Sequence, residues 1–362
     1  MKRLCILVMI ALAGGFLSAQ SDLQPAAIVR LTKSEPITVK QWRAEVEKLV
    51  WPQLAQRLGR QPTTQEINSA TQGVSKEEKR QVLEMMINER LAIQAAERDK
   101  VVVSEGEVNQ HLQQLRGAVE GSIGRAPTEA EFAAAVRNET GLDVPAFREQ
   151  RRKQLIVQKY LLSKKQGQID AVKAPSDAEI LNIYTLEKSR FVRPETIRFS
   201  MIIVPFTDAA SKIKAKDVAD RLIRDIGTNP AKFDEAVLKG RAPNAEYQAG
   251  DGRYLPRTSE AQNAVGAEFM EAAFALKQGQ VSRLLESERG YQIIKITETL
   301  EQKNLELDDI YQPGDRMTLR EFIGQSVYMR QYQQALVNAQ EELVAELRKG
   351  NPFQVMEANL NW

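Results

Sequence analysis

Apolar positions recur along this chain with two different periods, and the change of period divides it. From Thr38 to about Lys165, and again from Thr318 to Leu347, apolar residues lie three and four apart, the spacing that lines one face of a helix. Two β-branched runs interrupt that pattern, RFSMIIV (Arg198 to Val204) and GYQIIKI (Gly290 to Ile296), and both read as strands. A further short strand, AAIVRL (Ala26 to Leu31), is ended by Thr32, Lys33 and Ser34.

Helix starts are written plainly. Thr38 opens a helix whose apolar face holds Trp42, Val46, Leu49, Val50 and Leu54, with Pro52 inside it expected to kink or divide the helix. The polar stretch Gly59 to Gln72 reads as a loop with a helical turn. Capping boxes, in which a hydroxyl and a glutamate satisfy each other's exposed main-chain donors, stand at Ser75/Glu78, Ser104/Glu107, Thr128/Glu131, Ser176/Glu179 and Thr318/Glu321. The helix after Ser75 has a broad apolar face of Val82, Leu83, Met86, Ile87, Leu91 and Ile93. After Pro145, Phe147, Leu155, Ile156 and Leu162 line another. Between the two strands come an amphipathic helix, KAKDVADRLIRDI, a helical turn at Phe233–Ala236, an expected loop AGDGRYLP, and the segment EFMEAAFALKQGQVS. Past Thr297 a charged, turn-rich linker leads to the last helix, which Gly350, Asn351 and Pro352 stop before a short strand FQVMEANL.

The N-terminus changes the charge balance. Lys2 and Arg3, an apolar run from Cys5 to Leu17 and a small-residue cleavage site at Leu17–Ser18–Ala19 form a signal segment, 1–20. Its removal takes away the single cysteine and leaves 48 basic against 48 acidic side chains. The mature chain then forms no disulfide and lacks the clustered basic footprint of a nucleic-acid partner.

With these residues in view, the stretch Arg198 to Thr297 resembles the parvulin peptidyl-prolyl isomerases. Phe269, Ala273, Phe274, Leu276, Gly279, Ser282, Gly290 and Tyr291 carry the likeness. Upstream, VLEMMINERLAIQAAERDKVVVSEGEVNQHL, the turn NETGLD and FREQRRKQLIVQKYL resemble the N-terminal region of SurA/PrsA-type extracytoplasmic chaperones, and Tyr184, Phe191, Pro194 and Glu195 fit the junction that precedes the parvulin module. The resemblance implies an α+β, mainly helical protein. Its helical module would be 21–175, a connecting helix 176–195, the parvulin-like domain 196–299, and a linker, helix and strand at 300–362 completing the N-terminal module.

The same resemblance says where chemistry should sit. Met201 and Gln292 stand where the family has histidines, and Ala242 or Pro243 where it has a cysteine or aspartate. Gly252 and Arg253 replace the leucine and glycine of its glycine–aspartate loop. Phe269 matches the pocket phenylalanine, and Met201 and Val265 would add apolar wall. Methionine has no donor, and a glutamine amide lacks the geometry of imidazole. Isomerisation must offset part of a barrier of about 18–20 kcal/mol, so an absent or very weak catalyst is expected, with substrate-binding residues Met201, Val265, Phe269 and Gln292 and no catalytic residue.

Other chemistry finds little support. His111, the single histidine, lies in a glutamine-rich helix without metal-site spacing, and no nucleotide-binding loop occurs, so no cofactor, metal or nucleotide is expected. Trp362 reads as a packing residue, because a mostly helical chain lacks the strands of a membrane barrel. The resemblance then implies a periplasmic, ATP-independent chaperone for unfolded secreted or outer-membrane proteins. An active isomerase and a non-catalytic structural envelope protein are the alternatives.

Overall fold

The computed structural model describes residues 22–362, so the signal segment expected at 1–20 lies outside the described residues. In chain order the strands are β1 (Pro25–Val29), β2 (Glu35–Thr38), β3 (Val192–Arg193), β4 (Thr196–Pro205), β5 (Gln248–Pro256), β6 (Leu285–Ser287), β7 (Gly290–Leu300), β8 (Lys303–Asn304) and β9 (Phe353–Val355). The α-helices are α1 (Val39–Leu58), α2 (Thr64–Gln72), α3 (Lys76–Arg98), α4 (Glu105–Ile123), α5 (Glu129–Thr140) and α6 (Val144–Asp170), then α7 (Asp177–Glu187), α8 (Ala209–Ile226), α9 (Pro230–Gly240), α10 (Ser259–Val265), α11 (Ala267–Phe274) and α12 (Leu319–Leu347). They divide into two compact units, one from the described part of Met1–Val172 with Gln331–Trp362, the other Lys173–Arg330.

The first unit is helical and is closed by strands from both chain ends. β9 pairs antiparallel with β1, and β2 takes the other edge, giving the order β2-β1-β9. Its core gathers Trp42 from α1, Leu83, Ile87 and Leu91 from α3, Tyr160 from α6, Leu343 and Leu347 from α12, and the alanines of β1. Gln94, fully buried in α3, accepts from the main-chain N–H groups of Leu31 and Thr32, both at 3.1 Å, and donates to Glu35 at 3.2 Å. A buried amide is tolerated there because each of its polar ends is used. A second cluster, Val108, Leu112, Phe132, Val136 and Phe147, joins α4, α5 and α6.

All five expected capping boxes form, and three more appear among the described residues, Asp208 with Ser211, Thr38 with Gln41 and Thr63 with Glu66. The Thr63–Glu66 box makes α2 a nine-residue helix where a loop was expected. Its polar composition hid it, since only Thr71 is fully buried. Pro52 does not divide α1, which runs unbroken from Val39 to Leu58, and Leu49 is 48% exposed rather than on the buried stripe. Strand β2 was also missed; Pro36 fits it because the strand lies at a sheet edge, where a missing N–H costs no ladder bond.

In the second unit the sheet order is β5-β4-β7-β6, antiparallel throughout. AGDGRYLP is not a loop but most of β5. Pairing with β4 supplies the order that its glycines do not. Gly252 is needed there, because a side chain at that position would start 2.6 Å from the Phe199 carbonyl oxygen and 2.9 Å from its ring. The charged segment after Thr297 is likewise not a free linker. β8 pairs with β3, Leu305 is buried with Ile180, Tyr184, Phe191, Leu319 and Ile323, and the Tyr184 hydroxyl donates to the Leu305 carbonyl at 3.1 Å. The unit carrying the sheet therefore reaches beyond 196–299, taking in α7 and the start of α12. None of the described helices is long and apolar enough to cross a membrane.

Candidate functional site

Strand alternation sends consecutive residues of β4 and β7 to opposite faces of the sheet. On one face Ile202, Val204, Tyr291 and Ile293 pack under α8 and α9 with Phe233, Ala236 and Leu222. On the other, Ile197, Phe199, Ile294 and Ile296 pack with Phe269, Met270 and Ala273 of α11, and Met201 and Val265 lie partly buried against this cluster.

The register then decides which of the expected site residues meet. Met201 stands opposite Ile294, and Ile203 opposite Gln292. Met201 and Gln292 are thus diagonal neighbours on the face that holds Phe269, within the reach of long side chains. Phe269 is 9% exposed and meets Phe199 edge-on at a centroid distance of 5.6 Å. Gln292 is partly buried, and its Nε2 donates to the Ser287 hydroxyl oxygen at 3.0 Å. Ser287 in turn donates to the Gly290 carbonyl at 3.1 Å, so the amide is tied to the two-residue turn between β6 and β7. Gly290 is required in that turn because a Cβ would start 2.5 Å from the Val204 carbonyl oxygen.

Pro243 and the neighbouring Ala242 lie exposed in the turn that follows α9. The nearest charged arrangement to that turn is Arg241, which donates to Asp251 at 3.1 Å while the Ser200 hydroxyl donates to the other oxygen of the same carboxylate at 2.9 Å. The Ser200 hydrogen bond first, and the Arg241 charge after it, hold Asp251 below the ordinary carboxylate range. His111 sits on α4 in the other unit, and no group of metal-ligating side chains occurs among the described residues.

Phe199 and Ser287 were not among the sequence-read site residues. Phe199 had a signal, lying two positions before Met201 in a strand and therefore on its face. Ser287 had none, because its role comes from the turn that brings it back to Gln292. Chemically, the face offers an apolar floor and one amide already committed at one of its donors. That arrangement can hold apolar side chains; it offers little directed hydrogen bonding to a twisting amide.

Two family models match. A SurA-like N-terminal domain covers residues 1–161, and a PPIC-type PPIase domain covers 175–312. The chain combines a SurA-like helical domain with a parvulin domain. It is homologous to the PrsA and SurA foldases. The foldase protein PrsA of Clostridium botulinum is 24% identical over 303 residues, 82% of this chain and 79% of that one. The chaperone SurA of Albidiferax ferrireducens is 26% identical over 291 residues, 79% of this chain and 58% of that one. Among solved structures, a SurA-like chaperone of Campylobacter jejuni is similar at 13% identity, with 89% and 96% of the two chains covered and a TM-score of 0.33. PrsA of Bacillus subtilis is similar at 18% identity, with 91% and 93% covered and a TM-score of 0.26. The parvulin-type match contains the whole four-stranded sheet, and with it Met201, Gln292 and Phe269.

Proposed function

We propose that this chain is a periplasmic, ATP-independent chaperone, exported by a cleaved signal segment, whose parvulin-type domain binds unfolded secreted or outer-membrane proteins with absent or very weak prolyl isomerisation. The observation that carries the reading is the diagonal placement of Met201 beside a tethered Gln292 on an otherwise apolar face. A thioether and one restrained amide favour contact with apolar side chains over selective stabilisation of a twisted X–Pro bond. The apolar wall of Phe199, Val265 and Phe269 is kept, as binding requires.

Two assays test it. Full-length protein should suppress aggregation of an unfolded outer-membrane barrel protein without ATP, and no suppression at several-fold molar excess argues against the chaperone reading. A proline-peptide isomerisation rate equal to that of histidine-bearing parvulins would instead make it a working isomerase.

A further inference from the structure

The last residue, Trp362, is held in a pocket built by α1 and the start of α3. Its ring stands edge-on to Trp42, 5.0 Å between centroids at 82°. The guanidinium of Arg43 lies 5.0 Å from the ring centroid and the ammonium of Lys79 4.5 Å. Lys79 Nζ also donates to the Trp362 carbonyl at 3.4 Å. The pocket is itself fixed: Trp42 is 2% exposed, Lys79 7%, and the Trp42 indole donates to the Lys79 carbonyl at 2.7 Å. Aromatic rings with cations at their faces are a recognised attraction, stronger where water is excluded.

One feature of the fit is poor. The Trp362 indole Nε1 is buried with no hydrogen-bond partner. A buried donor without a partner loses its hydration and gains nothing in return. A ring without that N–H fills the same space free of the penalty. The tail upstream is anchored independently, through the Met356 N–H to the Ala26 carbonyl, Asn359 to the Pro25 carbonyl, and Glu357 to Arg80. Trp362 packs partly buried at the margin of the helical core, and the β9 ladder, made by Phe353 to Val355, does not involve it.

From this misfit we infer that the Trp42–Arg43–Lys79 pocket is a binding site for a phenylalanine side chain of an unfolded polypeptide, and that Trp362 occupies it in cis as a replaceable plug. The inference rests on the client-binding reading above and adds a second contact point, in the helical unit. An intramolecular plug competes at high effective concentration, which keeps the pocket closed until a chain with several apolar contacts arrives.

The test uses the full-length chain and a labelled unstructured peptide with one phenylalanine, beside the same peptide with alanine there. Trp362→Ala should tighten phenylalanine-peptide binding about fivefold or more by anisotropy and leave the alanine peptide unchanged, a change of about 1 kcal/mol. Trp362→Phe, which keeps the plug and removes its unpaired donor, should weaken peptide binding below wild type. Should Trp362→Ala not fold, Trp362→Phe alone decides, and unchanged or tighter binding in it overturns the proposal. Equal affinity in wild type and Trp362→Ala overturns it too, leaving Trp362 as core packing. Loss of aggregation suppression by the wild-type chain strikes the chaperone reading instead, and is scored separately.

Discussion

The two faces of the four-stranded sheet are made by the same residues' neighbours, yet they are closed to different degrees. Ile202 and Ile293 are 0% and 1% exposed, sealed by Phe233 at 0%; one residue away in the chain, Met201 and Gln292 are left partly open. The sealed face is roofed by α8 and α9, 18 and 11 residues long. The open face is roofed by α10 and α11, of 7 and 8 residues. Short helices cover less of a sheet, so part of its apolar face stays available. The second face is sealed at Ile197, Ile294 and Ile296 as tightly as the first, and stays partly open at Met201 and Gln292.

That contrast is broken or sharpened by substitution. The largest effect should come from the sealed face: Phe233→Ala should cost about 3–5 kcal/mol in denaturant unfolding, because a ring is removed from a site with no room to collapse. Met201→Ala, its counterpart on the open face, should cost only about 1–2 kcal/mol yet weaken client binding. Equal costs for the two would erase the distinction. Next in size, the double change Met201→His with Gln292→His should raise prolyl isomerisation about tenfold over wild type, by putting directed donors beside an existing apolar floor. A wild-type rate already matching the double variant would show that the face was never short of chemistry.

The smallest effect separates the units by pH. In the helical unit, Glu66, Glu107 and Glu131 are each held down at about 2, by Arg60, Lys159 and Arg125 in turn and then by the capping residues Thr63, Ser104 and Thr128. Each folded value lies below the ordinary value of about 4.3, so this stabilisation is present above about pH 4.5 and is lost as pH falls toward 2. In the sheet-bearing unit the lowered carboxylates Glu179, Asp208 and Asp309 stand at helix starts and in a turn, and Asp251 meets β4 through Ser200, whereas β7 carries none of them. Hydrogen exchange in α2, α4 and α5 should therefore accelerate over that range, after correction for intrinsic rates, before exchange in β4 and β7. Glu131→Gln should flatten the α5 response. The same slope in that variant as in wild type would remove the cap from the explanation.

Much of this molecule was legible in its residues. The capping boxes were, because a hydroxyl and a glutamate three residues apart act within one turn and need nothing distant. RFSMIIV and GYQIIKI were, because branched side chains suit a pleated surface whatever covers it. The failures share another cause. AGDGRYLP has the glycines of a loop and becomes a strand only because β4 offers it a partner. The segment after Thr297 has the charge of a linker and is fixed by burying Leu305.

Local chemistry thus determined where most of the helices begin and where β4 and β7 run. Only the tertiary structure decided that Met201 and Gln292 share a face, that Ser287 restrains one of them, and that Trp362 returns to α1 and α3 with its indole N–H unpaired. Those outcomes depend on register and on contacts between residues far apart in the chain. No local preference encodes them, because their energies exist only once the distant partners have met.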